Sequence, residues 1–548
     1  MTLQHLKNGI TACLSFLTVV AFGSMPNENQ PNIILILADD MGFSDTGCYG
    51  GEIETPNIDR LARNGIRYSQ FYNAARCCPT RASLLTGVYP HQAGMGWMNN
   101  SDEGTPGYRG DLSKHAVTIA EVLKTAGYST FMTGKWHLSN TRKNDTGTSD
   151  NWPKQRGFDR YFGIISGSDS YFSPELFSDN QKYPAPPAFY LTHAISDTTV
   201  KYIEQHFSSV QNKPLFLYVA YTAPHWPLHA LEEDIKKYGD LYQAGWDEIR
   251  ERRLEKQVES GLWKSKLELS PRDAKVPEWS SLSAGEKKEF ARRMAIYAAQ
   301  IDAMDQGIGR IIKKLEETNQ LDNSVIFFLS DNGGCAEFIS SGESKDLSGE
   351  LTDTWESYRI HWANASNTPF REYKHYTHEG GIRTPLIVQW TGGIREPARG
   401  GFVRDYGHIN DIMATCIELA HADYPKEYGG NTIVPLQGKS LVPHFSNKEN
   451  SQGPIFWEHE GNIGMRDGDW KLVAATPINQ AFDPARLELY NLKSDPVELH
   501  DLVRLYPEKR DRMYAEWQAW AEDNHVFPLD TRDYGTRSRA YQRRISGE

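Results

Sequence analysis

The sequence has little cysteine, no excess of positive charge and no long apolar run. Its 548 residues include six cysteines, too few for a scaffold held together by disulfides. Its 59 Lys and Arg against 71 Asp and Glu give a net charge of −12, so the broad basic surface that nucleic acids require is missing. After the N-terminus, no stretch approaches the ~20 apolar residues of a membrane span. These shortages argue against a disulfide-rich miniprotein, a nucleic-acid binder and a membrane-embedded protein.

Common catalytic and repeat signatures are absent as well. The sequence contains no Walker loop, no HExxH and no GxSxG, which removes P-loop NTPases, zincin metalloproteases and α/β-hydrolases. It also shows no internal repeat and no low-complexity tract. Hydrophobic residues make up 39% and charged residues 24%, a composition typical of a large packed core. The sequence therefore indicates a globular, acidic protein of two to four domains, at about 150 residues per domain, and an enzyme.

The N-terminus predicts export. Lys7 precedes an apolar stretch from Ile10 to Phe22, followed by the small residues Gly23 and Ser24. A charged start, a short apolar segment and small residues at a cleavage site are the parts of a signal peptide. We therefore expect residues 1–24 to be removed and the mature protein to be periplasmic or secreted. A buried N-terminal helix is the alternative.

Apolar runs along the first three quarters of the chain alternate with amphipathic helical patterns. The run NIILIL (residues 32–37) predicts a strand that is buried on both faces. Further strand-like runs are residues 128–132, 215–221, 324–329 and 386–390. Helices are predicted after Pro56, after a capping box formed by Thr118 and Glu121, and over residues 297–315. This alternation predicts an α/β fold, with a large, mostly parallel sheet covered by helices.

The hydrophobic pattern of the sequence changes near residue 451. Short runs broken by turn signals predict a small antiparallel sheet, followed by a helix near residues 509–522. We therefore expect a catalytic domain over residues 25–448 and a smaller α+β subdomain over residues 449–548. Residues 142–190 and 230–285 look like polar insertions. Tryptophans near or within them could stack on sugar rings or pack in the core: Trp226, Trp246, Trp263 and Trp279.

Polar and ionisable residues follow four of the predicted strands. Because the carboxyl ends of parallel strands meet at one edge of a sheet, these residues are expected to converge on one crevice. Those with only oxygen ligands suit Ca²⁺ or Mg²⁺ and not zinc: Asp39, Asp40, Asp331 and Asn332. Those that are cationic or carry a proton suit a compact oxyanion: Arg81, Lys135, His137, His225 and Lys374. A metal and a cation cluster would neutralise an anion and leave one group to protonate the departing oxygen.

One further element is the segment CCPTRASLLTG, residues 77–87. It reads as a loop that enters a short helix closed by Gly87. Cys77 would then lie near the positive end of the helix, which favours an anion. Cys78 is expected to be a buried structural cysteine.

With these motifs in view, the sequence resembles a type I sulfatase of the alkaline phosphatase superfamily. Cys77-Cys78-Pro79-Thr80-Arg81 with Leu85-Thr86-Gly87 matches the family signature Cys-x-Pro-x-Arg followed by Leu-Thr-Gly. It is accompanied by PNIILILADD, GKWH, APH, DNGG, and Lys374 ahead of Glu379-Gly380-Gly381. The likeness extends from about Pro31 to ELYNLKSDPVELHDL and becomes thin in the two insertions.

The resemblance implies a formylglycine mechanism. Cys77 would be oxidised by a formylglycine-generating enzyme to an aldehyde, whose hydrate attacks sulfur with one hydroxyl and expels sulfate with the other. The sulfated hydrate breaks down by elimination, whereas a thiolate nucleophile would form a thiosulfate ester that breaks down slowly. The metal would be held by the formylglycine and by Asp39, Asp40, Asp331 and Asn332. The resemblance implies Ca²⁺, with Mg²⁺ as the alternative. Arg81 would fix the formylglycine, and His137 would bind the hydroxyl that triggers elimination.

The resemblance further implies that Lys135, His225 and Lys374 grip the sulfate, with His225 or Lys374 also the acid to the leaving alcohol. His459, in the segment WEHEGN, could reach the substrate, or it could be an ordinary packed histidine. The expected substrate is a sulfated polysaccharide or oligosaccharide, or a small aryl sulfate. Three alternatives are a phosphatase or phosphodiesterase of the same superfamily, a sulfatase-like binding protein without activity, and a metal-binding structural glycoprotein.

Overall fold

The computed structural model describes residues 30–140, 149–209, 213–265, 267–341, 347–349 and 354–546. The predicted signal peptide lies outside the described residues. Within them, no helix is long and apolar enough to cross a membrane. The cysteines in this part of the chain are free thiols: Cys48, Cys77, Cys78, Cys335 and Cys416.

The strands and α-helices of the described residues follow the predicted alternation. The strands are β1 (Asn32–Ala38), β2 (Ile66–Tyr68), β3 (Phe71–Tyr72), β4 (Ser129–Lys135), β5 (Arg160–Ile164), β6 (Leu176–Ser178), β7 (Gln181–Tyr183), β8 (Leu215–Ala220), β9 (Ser324–Ser330), β10 (Leu386–Gln389), β11 (Phe402–Val403), β12 (Gly407–His408), β13 (Glu427–Tyr428), β14 (Asn431–Thr432), β15 (Ile455–His459), β16 (Asn462–Asp467), β17 (Trp470–Ala474) and β18 (Glu488–Asn491). The α-helices are α1 (Pro56–Asn64), α2 (Cys77–Thr86), α3 (Ile119–Thr125), α4 (Leu191–Ser209), α5 (Glu232–Ile235), α6 (Trp246–Glu259), α7 (Ala284–Glu317), α8 (Arg359–Ser366), α9 (Glu379–Ile382), α10 (Asp411–Ala420), α11 (Pro507–Asp523) and α12 (Tyr534–Ser546).

A ten-stranded sheet forms the centre of the molecule, in the order β11-β2-β10-β9-β1-β8-β4-β5-β6-β7. Strands β9, β1, β8, β4 and β5 run parallel to one another, and β10 and β6 run antiparallel to their neighbours β9 and β5. The prediction of a mostly parallel sheet is confirmed.

Strand β1 is buried along its whole length because helices cover both faces of the sheet. Ile34 and Ile36 point to the face covered by α4 and α7, while Ile33, Leu35 and Leu37 point to the face covered by α2, α3 and α10. A strand with two apolar faces reads as a continuous hydrophobic run. The capping box of Thr118 and Glu121 is present at α3 as predicted.

The C-terminal part of the chain forms a separate antiparallel sheet of β15, β16, β17 and β18. Helix α11 packs on this sheet through Met513 and Trp517, which lie with Met465 and Leu472 in one buried cluster. The predicted smaller α+β part is therefore confirmed as architecture. The boundary between residues 448 and 449 stays a prediction.

The two segments that read as insertions contribute to the core. Within residues 149–190, β5 joins the sheet beside β4 and is extended by β6 and β7. Trp246, Trp263 and Trp279 are buried in the main hydrophobic cluster, so the core interpretation is right for them and sugar stacking is wrong. Only Trp226 of the four is partly exposed.

We predict that Gly134→Ala destabilises the fold, because Gly134 has a φ of 101° and a Cβ there would lie 1.8 Å from the carbonyl oxygen of Ala220 in β8. We expect a loss of about 3 kcal/mol in the free energy of unfolding, from the left-handed backbone and the overlap together. Gly127→Ala is the matched control, since Gly127 has a φ of 92° with no atom within 4 Å of its Cβ position. For Gly127→Ala we expect the free energy of unfolding, measured by urea denaturation, to fall by only about 1 kcal/mol. Equal losses in the two variants would contradict the prediction.

Candidate active site

The polar residues that follow β1, β4, β8 and β9 meet at one edge of the sheet. Asp39 and Asp40 follow β1 directly, Lys135 ends β4, and Asp331 follows β9. Lys135 forms an ion pair with Asp39, and the backbone N–H of Asp40 donates to the side chain of Asp331. His225 lies five residues after β8 and contacts Asp40. The predicted convergence of four strand ends is therefore observed, because parallel neighbours end at the same edge.

Cys77 is the first residue of α2. The preceding residue, Arg76, has extended backbone and leads the chain into the helix, and Gly87 closes the helix with a φ of 69°. A Cβ at Gly87 would meet Leu436 at 2.4 Å, so the turn also needs a residue without a side chain. Cys77 thus lies at the N-terminal end of the helix dipole, as expected, where negative charge is stabilised.

Four oxygen-bearing side chains form the candidate cation site. The backbone N–H of Asp40 donates to Asp331 Oδ1 at 3.1 Å, and Asn332 Nδ2 donates to Asp40 Oδ1 at 2.7 Å. The second bond fixes the amide of Asn332. The Oδ1 atoms of Asn332 and Asp39 are buried and have no hydrogen-bond partner among the described residues. Buried oxygens of carboxylate and amide groups without partners are the donors that Ca²⁺ and Mg²⁺ require. The residues present therefore fit a hard divalent cation.

Three cationic side chains balance the three carboxylates. Arg81 donates to Asp331 Oδ2 through Nε at 3.1 Å and Nη2 at 2.9 Å. Lys135 pairs with Asp39, and Lys374 pairs with Asp40 at 2.9 Å. All six side chains are at most 2% exposed. With one cation for each carboxylate, the protein alone is neutral here, and a divalent cation would leave two positive charges for an anion.

The pKa values of two carboxyl groups diverge because their surroundings differ. Burial raises the pKa of Asp39, but Lys135 and Arg81 outweigh it and hold the pKa below its usual range. Burial and the neighbouring charge of Asp39 raise the pKa of Asp331 well above its usual range. A metal cation nearby would stabilise the charged form of a carboxyl group and so lower its pKa. This effect is largest for a group such as Asp331, whose pKa the protein alone raises.

Cys77 lies against Cys78 and His137, with the two sulfurs and a ring nitrogen of His137 within 4.8 Å of one another. A hydrogen bond from Cys78, together with Lys135 and His137, lowers the pKa of Cys77 well below its usual range although burial raises it. Burial lowers the pKa of His137 to about 4. His137 is therefore a neutral group beside position 77, able to accept or donate one hydrogen bond at each ring nitrogen.

His225 faces the carboxylate of Asp40, with Nε2 at 3.5 Å from Oδ2. Its Nδ1 lies 2.6 Å from the carbonyl oxygen of Trp226. A carbonyl can only accept, so Nδ1 carries the proton and Nε2 points to the site. Burial lowers the pKa of His225.

His459 ends β15 and is fully buried, with neither ring nitrogen in a hydrogen bond. Its neighbours are His375 and Glu460, with ligand atoms of the three groups within 4.8 Å of one another. Burial lowers the pKa of His459 to about 3. A substrate-binding role for His459 stays a prediction.

Sequence reasoning missed a layer of residues next to the catalytic ones. Arg76, Trp226 and His375 each neighbour a predicted site residue in the chain, and their partners are Glu337 and Glu460. The chain adjacency was visible in the sequence. Glu460 likewise follows His459 in WEHEGN, whereas Glu337 adjoins no predicted site residue, and only the fold brings residues 337 and 460 to the same place.

Comparison with known proteins agrees with this geometry. The sulfatase family model matches residues 31–422, and the model "N-sulphoglucosamine sulphohydrolase, C-terminal" matches residues 371–519. An uncharacterised sulfatase of Schizosaccharomyces pombe is 32% identical, over 92% of this chain and 96% of the relative. An arylsulfatase of Klebsiella aerogenes is 33% identical, over 79% of this chain and 96% of the relative.

A solved structure extends the similarity to the fold. The crystal structure of Ps i-CgsB in complex with k-i-k-neocarrahexaose has a TM-score of 0.67 and 25% identity, covering 94% of this chain and 98% of that chain.

We predict that His459 makes the fold sensitive to acid. Because its pKa is about 3 in the fold and about 6.5 in the unfolded chain, its contribution is complete above pH 6.5 and is lost as the pH falls towards 3. Between pH 8 and pH 5 the loss is about 2 kcal/mol. Urea denaturation of His459→Gln at both pH values should show a decline smaller by that amount than in the wild type.

The exposed His500, whose side chain is 67% accessible, supplies the control. His500→Gln should follow the wild-type pH dependence. An unchanged decline in His459→Gln would show that His459 is not held neutral by burial.

Proposed function

We propose a mechanism from the premise that the chain belongs to the type I sulfatase family of the alkaline phosphatase superfamily and is a sulfuric ester hydrolase. In this mechanism the protein acts through a formylglycine made from Cys77 and a bound Ca²⁺. The observation that carries the proposal is the place of Cys77. It starts α2 beside His137, and Arg81 of the same helix pairs with Asp331 and Asp39 in the candidate cation site. Nucleophile, cation ligands and anion-binding groups are thus adjacent.

In this proposal, Asp39, Asp40, Asp331 and Asn332 hold the cation together with the modified residue 77. Conversion of Cys77 to formylglycine would supply a hydrated aldehyde as nucleophile, and Ca²⁺ would supply positive charge beside it. Arg81 keeps residue 77 in place through its bonds to Asp331 and to the carbonyl of Lys135. His137 binds the hydroxyl whose proton must leave for sulfate to be expelled.

Lys135, His225 and Lys374 bind the sulfate oxygens. The excess of two positive charges over the carboxylates, once a divalent cation is bound, matches the charge that sulfate carries when it is released. As the bond between sulfur and the leaving oxygen breaks, its electron pair goes to that oxygen. Lys374, or His225 once its Nε2 is also protonated, then gives the oxygen a proton, so that an alcohol departs.

For the substrate we propose a sulfated polysaccharide or oligosaccharide, with small aryl sulfates as further substrates. The similarity to Ps i-CgsB, solved with k-i-k-neocarrahexaose, supports the first, and the similarity to an arylsulfatase supports the second. Export by the predicted signal peptide and maturation by a formylglycine-generating enzyme belong to the same proposal, since polymeric substrates lie outside the cell.

The nucleophile is tested with Cys77→Ala, for which we expect sulfate release to fall at least about 1,000-fold because the covalent route is removed. Cys78→Ala is the matched control and should keep most of the activity. Mass spectrometry of the tryptic peptide Cys77-Cys78-Pro79-Thr80-Arg81, from protein made with a formylglycine-generating enzyme, should show conversion at Cys77 alone. Turnover in Cys77→Ala, or an unconverted Cys77, would refute the mechanism.

The cation is tested by chelation. We expect metal-free protein to lose sulfatase activity and to regain it with Ca²⁺, and less with Mg²⁺, since Ca²⁺ accepts irregular sets of oxygen ligands whereas Mg²⁺ demands a near-ideal octahedron. Ca²⁺ should also raise the melting temperature of the wild type, because binding to the folded state stabilises it. Asp331→Asn should abolish this rise. Full activity without metal, or a rise that persists in Asp331→Asn, would contradict the ligand set.

A further inference from the structure

Glu337 lies outside the sulfatase signature and outside the candidate cation ligands, yet it contacts the catalytic groups from the solvent side. Its Oε2 accepts a hydrogen bond from Trp226 Nε1 at 2.8 Å and from the thiol of Cys335 at 3.1 Å. The same oxygen is 3.5 Å from Lys374 Nζ. The side chain of Glu337 is 22% exposed and that of Lys374 is 2% exposed. The carboxylate of Glu337 therefore contacts the buried Lys374 from a more exposed position.

The other oxygen of Glu337 binds two further cationic side chains. Oε1 accepts from Arg76 Nη2 at 3.3 Å and is 3.2 Å from His375 Nε2. Arg76 precedes the nucleophile at position 77, and His375 follows Lys374. One carboxylate thus joins the chain segments that carry the nucleophile and the cationic groups of the site.

Lys374 has two carboxylate partners, and they differ in what else they do. Asp40, at 2.9 Å, belongs to the candidate cation site, so a bound cation competes with Lys374 for its oxygens. Glu337 has no place in that site. Burial raises the pKa of Glu337, but Lys374, His375 and Arg76 outweigh it and hold the pKa well below the usual range. Glu337 is therefore an ionised partner that Lys374 keeps whether or not the cation is bound.

His225, the other candidate proton donor, is linked to Glu337 through Trp226. The Nδ1–H of His225 donates to the Trp226 carbonyl, and the two rings lie 4.4 Å apart between centroids. The indole of Trp226 is held by its bond to Glu337. Loss of the Glu337 carboxylate would remove the hydrogen bond that holds the indole of Trp226, the residue whose carbonyl orients His225.

We propose that Glu337 is a positioning residue that places Lys374 and the His225–Trp226 segment for protonation of the leaving oxygen. This inference rests on the proposed function. It requires that the need for Glu337 grows with the basicity of the leaving oxygen, because only a basic alkoxide or phenoxide must receive a proton to depart. A residue that merely stabilised the fold would affect all leaving groups alike.

The test compares phenyl sulfate with 4-nitrophenyl sulfate, which have similar size but different leaving groups, since the nitro group stabilises the phenolate. In Glu337→Gln we expect kcat/KM for phenyl sulfate to fall about 100-fold, the size of a general-acid contribution, and that for 4-nitrophenyl sulfate to fall only about 3-fold. Thermal unfolding of each variant reports on the fold.

Glu460→Gln is the matched control. Glu460 also pairs with Arg76 and His375, and within the described residues its ion pairs and hydrogen bonds reach neither Lys374 nor Trp226. It should change both rates by the same factor. Glu337→Asp keeps a carboxylate and should give an intermediate ratio of the two rates, which serves as the test if Glu337→Gln does not fold.

Equal losses on both substrates in the Glu337 variants, or the same altered ratio in Glu460→Gln, would overturn the role of Glu337. The wild-type rates on these sulfates test the proposed function, whereas the variant ratios test Glu337. The two ideas can therefore fail separately.

Discussion

The buried ion pair between Arg81 and Asp331 is the interaction on which the arrangement of the site depends. It joins α2, whose first residue is Cys77, to the end of β9 in the middle of the sheet. Both side chains are fully buried, so removing Arg81 would leave the Asp331 carboxylate without its cationic partner, at a cost of about 3–5 kcal/mol. The position of Cys77, the proposed nucleophile, relative to the candidate cation ligands is therefore fixed by electrostatics as well as by packing.

Charge balance extends outward from this pair in layers. Next to the cation ligands lie the lysines that pair with Asp39 and Asp40, and beyond them lies the layer formed by Arg76, Glu337, His375 and Glu460. The ion pair between Lys374 and Glu337 joins the inner charges to this outer layer. Because Glu460 belongs to the C-terminal antiparallel sheet region, that part of the chain completes the rim of a site whose centre belongs to the large sheet.

Much of the fold was predictable because the hydrophobic patterns and capping signals of the sequence match the residues that the structure buries and the ends of its helices. The apolar run of β1 is buried on both faces, and the capping box at Thr118 starts α3 as expected. The segments read as insertions were harder, because β5 to β7 are only three to five residues long and periodicity is weak over so few residues. From the sequence, Trp246 could stack on a sugar or pack in the core, and the structure shows its ring packed among Trp279, Phe290 and Trp362.

The residues of the candidate site could be selected from the sequence alone, since the carboxylates, the cationic groups and the signature cysteine follow strands or open a helix at recognisable positions. The tertiary structure was needed to show which cation pairs with which carboxylate, which oxygens are left without partners among the described residues, and that Glu337 contacts Lys374. The physical reason is that strand ends are set by local patterns along the chain, whereas a contact between residues 337 and 374 depends on how loops from different elements pack.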